Sequence, residues 1–372
     1  MALHKPWESM KRCVLNADGS VNYYLSPTDS TKKADGTTAN LDGSDGNVMV
    51  EIPKFYFKHS LTGNVNSWKI RTTPFAEYAL HPAFVKAGVE VPYRYIGAYD
   101  ACYLDATDGV YKSGLNLDDM TGNLDLANDK LASVSGVYPL VGITRAGSRS
   151  LAANNGTGWH QLDFALWSAI QMLYLVEYGT FSTQSKLGAG NTSGSYLASS
   201  ANQNNSPNTI AGASNSWGNA STDGSQPSAG AKPGTAYMSY RGIENWYGNC
   251  WSWIDGINVN IAIVGTVYVT NDYRNFADDT ATGHTLITSS LPTTSGFIRN
   301  ILNTGAYFLS STNSGASSTT FITDQHFSSA SATRVFRGKG SAVSGLNAGG
   351  FIFDTSASSI NLTRFITARL CF

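Results

Sequence analysis

Charge is what this 372-residue sequence has least of: only 14% of it is Asp, Glu, Lys or Arg, against the usual quarter or so. The formal net charge is −1. Binding nucleic acid needs a basic stripe to neutralise phosphates, so nucleic acid is excluded as a partner. No run of about 18 apolar residues occurs, so no membrane insertion is expected. The opening Met1-Ala2-Leu3-His4-Lys5-Pro6-Trp7 lacks the apolar stretch of a signal peptide. A role outside a cell is therefore expected to rely on lysis or on assembly into a particle. Cysteine is scarce and scattered, at Cys13, Cys102, Cys250 and Cys371, with no CxxC. Neither a disulfide framework nor a zinc site is expected, and all four read as buried thiols. The six histidines show no HxxH or HExxH spacing. There is no heptad or collagen-like repeat, which excludes a self-made fibrous stalk.

What is present is apolar, aromatic and neutral-polar. Hydrophobic residues make up 42% and aromatic residues 12%, enough for a sizeable core. Ser, Thr, Asn and Gly supply the polarity. That mixture suits a β-rich surface that binds neutral, hydroxyl-rich partners or packs on copies of itself, and it equally suits a stable extracellular or virion protein. The densest cluster is Gly248-Asn249-Cys250-Trp251-Ser252-Trp253-Ile254-Asp255-Gly256. Trp251 and Trp253 fall on one face of an extended segment. Each would bury on the order of 200 Å², so the run reads as the buried seam of a compact domain. Gly248 and Gly256 read as turn positions on either side, and Asn249 can bond the backbone within its own turn.

Along the chain, residues 1–46 read as an N-terminal β-rich arm. Val14 and Leu15 lead into an Asp18-Gly19 turn, and Val21 to Leu25 returns as the second strand of a hairpin. Asp35-Gly36, Asp42-Gly43 and Asp45-Gly46 are further turn signals; calcium could bind such loops, but the full spacing of a calcium loop is missing. No cofactor or metal is therefore expected. Val48 to Lys58 reads as a strand with an edge or bulge at Pro53, and Tyr93 to Tyr99 as another. Thr144 caps a helix over 145–153, and Asp163 caps a second that runs to about Tyr178 and stops at Gly179. Residues 187–236 hold only two charges, Asp223 and Lys232, and read as a long polar insertion in which Trp217 docks on its own domain. Beyond Ile257, apolar runs at 261–270, 284–288, 296–302, 305–309, 333–337, 349–353 and 364–372 read as strands. The fold class is α+β, β-rich, with two helices and long polar loop insertions.

Four segments occur in an order that resembles a known family. They are Val48–Lys58, the helix pair with Gly158-Trp159-His160 between, Gly248–Trp253, and Arg334-Val335-Phe336-Arg337-Gly338 with Ala368-Arg369-Leu370. The pattern resembles the formylglycine-generating enzyme (sulfatase-modifying factor) branch of the C-type lectin fold, over residues from about 47 to the end. Trp7–Lys58, Leu80–Phe84 and Tyr95–Tyr99 look like a subset found in bacteriophage tail and fibre proteins, similar also to the variable proteins of diversity-generating retroelements. The resemblance implies a C-type lectin-like domain over 47–372. It makes Gly248, Asn249, Trp251, Trp253, Arg337, Gly338 and Arg369 the structural core motif.

The departures bear on function. The oxygen-dependent enzymes of that family carry a cysteine pair shortly after the Arg-Gly strand, and Arg337 to Gly345 contains none. Ser252 stands where the family usually has Glu. The expectation is a non-enzymatic phage virion protein: a tail-tip or fibre adhesin for a host cell-surface receptor, glycan or protein. The alternative is a purely structural subunit (baseplate, head-fibre or decoration protein) that packs on other virion subunits. Fibre proteins of this kind are usually homotrimers. In the retroelement relatives the variable face lies between the Arg-Gly strand and the last strand. Carried over, that is Lys339 to Thr363, with Lys339, Ser341, Ser344, Asn347 and Asp354 as exposed receptor-binding candidates.

Overall fold

The computed structural model describes residues 5–63, 65–113, 124–193, 208–225, 236–260, 265–302, 304–320, 322–329 and 333–372. Within the polar insertion 187–236, the stretches 194–207 and 226–235, Lys232 among them, lie outside the described residues. So do residues 1–4 and the first four residues of the 261–270 run. Strand outweighs helix, 35% to 14%, which makes the chain α+β with β dominant. Part of the β-structure curls into a half-barrel.

Among the described residues two large sheets dominate. The first has six strands, in the spatial order His160–Gln161, Leu370–Cys371, Tyr93–Gly97, Asn47–Pro53, Lys11–Leu15 and Val21–Tyr24. Alternate side chains of an extended chain face opposite ways, and both faces are covered here. Val14, Val48, Val50 and Ile52 enter the main core, whereas Cys13, Leu15 and Met49 enter a second core with Trp159 and Leu370. The expected boundary after residue 46 is therefore corrected. The Lys11–Leu15 strand lies inside this sheet, paired from Lys11↔Glu51 to Leu15↔Asn47, so residues 11–24 belong to the body rather than to an arm. Arg12 reinforces this. Its buried guanidinium donates to the Gly242 carbonyl (2.7 Å), Ser214 Oγ (2.7 Å), and Ser30 Oγ and Asn215 Oδ1 (3.1 Å each). The polar insertion is thereby fastened to the first strand, and Trp217 stacks on Tyr237 at 4.5 Å, an intramolecular dock.

The second sheet has eight strands and centres on the neighbours Trp251–Asn260, Thr333–Lys339 and Gly349–Thr355. Trp251 and Trp253 do share a face, where they pack with Val335, Ile352, Ala357 and Ile366. Asp255-Gly256 does not end the strand as expected. The register shifts between Ile254 and Asn258, so the pair forms a β-bulge inside a ten-residue strand. Gly256 sits at φ +71°, and a Cβ there would come within 2.5 Å of the Thr270 carbonyl.

Helix α1 (Arg145–Ala153) begins at Thr144, whose Oγ1 accepts from Gly147 N at 3.0 Å. Helix α2 (Phe164–Tyr178) begins at Asp163, which accepts from Leu166 N at 2.8 Å, and ends at Gly179 with φ 66°. Every α2 residue from Phe164 to Leu175 is buried, so the expected aromatic stripe is part of a helix enclosed on all sides. A third helix, α3 (Thr183–Leu187), joins the two that were expected. Both long helices pack on the Trp251–Asn260 strand. Arg145 Nη1 donates to the Ile257 carbonyl at 2.9 Å, supplying the hydrogen bond the bulge removes from the ladder, and Arg149 Nε reaches Asp255 at 2.6 Å. From α2, Trp167 lies against Ile254 and Gly338, where a Cβ on Gly338 would come within 3.2 Å of the indole.

The last segment is two short strands instead of one. Ile366–Thr367 pairs in parallel with Trp251–Ser252, and Leu370–Cys371 pairs with His160–Gln161 and the Tyr93–Gly97 strand. The chain thus steps from one large sheet to the other, with Arg369 at the crossing.

Candidate functional site

The Gly248–Gly256 seam and the predicted recognition segment meet around one buried carboxylate, Asp100. Arg369 Nη2 donates to it at 2.6 Å and Asn249 Nδ2 at 2.9 Å; the Lys339 ammonium completes the set. Burial alone would raise Asp100, but Lys339 and Arg369 outweigh it and hold the carboxyl below its usual range. One carboxylate faces two cations, so burial and the Arg369 charge pull Lys339 down to about 8 even though Asp100 opposes them. Arg369 spreads its charge over the carbonyls of Gly97 (2.9 Å), Ala98 (3.2 Å) and Glu244 (2.7 Å).

Asn249 joins this centre to the loops. It holds φ 63°, which Asn tolerates better than most residues. Its Oδ1 accepts from Thr209 N (2.8 Å) and Asn191 Nδ2 (3.0 Å), and its carbonyl accepts from Ala342 N (2.8 Å). The turn at 248–249, the insertion and the 339–342 segment are thereby fixed together.

The expected exposure of the recognition residues is corrected on this geometry. Lys339, Ser341 and Asp354 are buried. Lys339 is turned inward by Asp100. Ser341 is held in a turn, its N–H donating to Ser344 Oγ at 2.9 Å. Asp354 accepts from Arg337 Nε at 2.8 Å and from Ser356 N at 2.7 Å. Ser344 and Asn347 are half-buried around a short 3-10 turn over Gly345–Asn347. What the segment presents outward is Val343 and Leu346, the latter 67% exposed, followed in the next loop by Ile360 (74%) and Leu362. Of the core motif, Gly248, Asn249, Trp251, Trp253, Gly338 and Arg369 are buried; Arg337 is half-buried, its guanidinium 4.7 Å over the Trp251 ring.

No activated nucleophile emerges among the thiols. All four cysteines are buried and unpaired. Burial pushes each thiol up, Cys102 to about 12 and the others further, whereas a reactive cysteine needs the opposite shift. The Ser252 hydroxyl is buried and donates to the Trp253 carbonyl at 3.3 Å. The Asp-Gly turns use their own carboxylates: Asp18, Asp35 and Asp42 each accept from the residue two places on, at 2.9–3.0 Å. Among the described residues no group of three or more His, Cys, Asp or Glu is placed to hold a metal ion.

Sequence reasoning missed Asp324. This buried side chain accepts from Phe351 N at 2.7 Å and Thr323 Oγ1 at 3.2 Å, with no cation beside it among the described residues. It occupies the space a Cβ on Gly349 would need, 2.1 Å away, and Gly349-Gly350 was the one signal that something large lies beneath. Burial raises Asp324 to about 7. A raised acid holds its proton in the folded state while the unfolded chain releases it. Stability therefore falls as pH rises from about 4 to about 7. Asp324→Asn is expected to remove that dependence and to raise stability at pH 8 by on the order of 2–4 kcal/mol. Urea unfolding at pH 5 and pH 8 checks it; a variant less stable than the parent at pH 8 would refute the assignment.

No protein-family model matches this sequence, and a search of curated proteins finds no match.

Proposed function

We propose that the chain is a non-enzymatic virion protein of a bacteriophage, a tail-tip or fibre adhesin that binds a host-surface receptor through the loops at 341–347 and 356–363. The observation that carries this reading is the contrast between those loops and what lies under them. Asp100, Asn249, Lys339 and Arg369 form a buried frame that holds the 341–347 loop through the Asn249 carbonyl and Ala342 N, and that loop and the one at 356–363 present uncharged, apolar side chains: Val343, Leu346, Ile360 and Leu362. A recognition surface gains from such pre-organisation because little entropy is lost on binding. The buried, unactivated thiols fit binding better than chemistry.

The test is attachment of the purified chain to cells of the host infected by the particle that carries it. The variant Val343→Asp/Leu346→Asp places two charges on exposed positions, where the fold tolerates them. It is expected to lower attachment by about tenfold or more at an unchanged melting temperature. Contact through neutral groups also predicts little dependence on ionic strength. Undiminished attachment of the variant would remove these loops from the interface. A particle image with the loops enclosed by neighbouring subunits would favour the purely structural alternative.

A further inference from the structure

A groove remote in sequence from those loops has the chemistry of a sugar subsite. Three elements wall it: the short 3-10 turn Pro6–Ser9, the end of the Val65–Arg71 strand, and the last turn of α2. Its volume is about 240 Å³, and Pro6, Trp7, Ile70 and Val176 make its apolar wall. The polar groups are Lys5, Arg71, Thr72 and Thr73. That volume lies just under the roughly 300–1,000 Å³ of drug-sized ligand pockets, so the groove suits one sugar ring rather than an extended oligosaccharide.

The two cations among them have spare capacity. Arg71 has no carboxylate partner among the described residues. Its Nε is buried without a hydrogen-bond partner, and its guanidinium rests on the rings of Phe75 (4.2 Å) and Tyr78 (5.6 Å). Those rings hold the planar fork in place without using its donors. With Nε enclosed, the two Nη groups are the donors left to a ligand, and they match a carboxylate through two parallel hydrogen bonds. Lys5 stands 5.8 Å over the Trp7 ring and pairs with Glu8 at 3.4 Å, both side chains about half exposed. Such an exposed pair is weak and leaves the ammonium free to turn to a ligand. Thr72 and Thr73 line the groove, and an indole offers the flat apolar face on which the C–H side of a sugar ring packs. Trp7 is half-buried and packed on the main core, so that face is fixed in advance.

We infer that the groove between Trp7 and Arg71 binds a single residue of an acidic saccharide, a uronic-acid-type ring with its carboxylate on Arg71 and its apolar face on Trp7. The site rests on the recognition reading for its role, as a second point of contact with a carbohydrate surface.

The experiment titrates the full chain with three probes by ligand-observed NMR: methyl β-D-glucuronide, methyl β-D-glucoside and sodium acetate. The glucuronide is expected to bind, the glucoside at least about tenfold more weakly, which is the loss of one charged hydrogen-bonding partner, and acetate not to displace the glucuronide at equal concentration. Arg71→Gln is expected to weaken the glucuronide about tenfold or more, with Arg71→Lys between the two, and added salt to weaken it as well. No glucuronide binding, equal binding of the two glycosides, displacement by acetate, or unchanged affinity in both Arg71 variants would each overturn the site. Cell attachment measured on the same samples separates the two readings. Attachment without glucuronide binding overturns the groove alone; glucuronide binding without attachment upholds the groove and overturns adhesion.

Discussion

Asp100→Ala is expected to destabilise the fold by about 3–5 kcal/mol, because it leaves buried cations without their counter-charge. Lys339 and Arg369 both point at this one carboxylate from inside the core. Arg369 keeps its carbonyl partners after the substitution, whereas Lys339 has no other ion pair among the described residues. The second substitution Lys339→Met should therefore recover a large part of the loss, since an unpaired buried ammonium is the most destabilising group left. Urea unfolding of the two single variants and the double variant measures the coupling. Additive losses with no recovery would mean that the carboxylate and the ammonium do not interact. The pH dependence gives an independent readout. Lys339 titrates near 8 when folded and near about 10.4 when unfolded. Between those values the unfolded chain binds more protons, so stability should rise with pH from about 8 to about 10. Lys339→Met should flatten that rise.

The second large effect is expected at Trp253. Trp253→Ala should cost about 3–5 kcal/mol, more than Trp251→Ala. The two indoles lie on the same face of one strand, yet they differ in enclosure: Trp253 is fully buried and Trp251 is 9% exposed beneath Arg337. Trp253 also donates its Nε1–H to the Ile143 carbonyl at 2.9 Å, just before α1. Removing the ring empties a cavity and strands that carbonyl together. Trp253→Phe separates the two contributions, retaining most of the volume and losing the donor for about 1–2 kcal/mol. Thermal or urea unfolding of the three variants decides the ranking. If Trp251→Ala proved the more costly, full enclosure and the bond to Ile143 would not be what sets the ranking.

Local physics made much of this molecule readable in advance. Thr144, Asp163 and Gly179 mark the ends of α1 and α2 because caps depend on a few neighbouring atoms. The first hairpin follows from Asp18-Gly19 and the alternation on either side. The paired indoles share a face because strand periodicity is 2. The same locality explains where reading failed. Asp255-Gly256 has the composition of a turn, but the chain there stays extended as a bulge, because Arg145 from a distant helix satisfies the carbonyls it frees. Residues 11–24 look separable until their pairing partner at 47–53 is known.

The candidate site divides in the same way. That residues 340–348 and 356–363 connect strands follows from the apolar runs at 333–337, 349–353 and 364–372 on either side of them. Which polar side chains turn inward does not. Lys339 and Asp354 carry charges that a sequence-based reading assigns to the surface, and they are buried because Asp100 and Arg337 arrive from other parts of the chain to receive them. Caps, alternation and turn residues were set by the sequence alone, since each is settled within a few residues of chain. The buried ion centre, the bulge and the groove at Trp7 and Arg71 were decided only by the tertiary structure, since each exists through partners tens to hundreds of residues apart whose charges are affordable in the interior only when they meet.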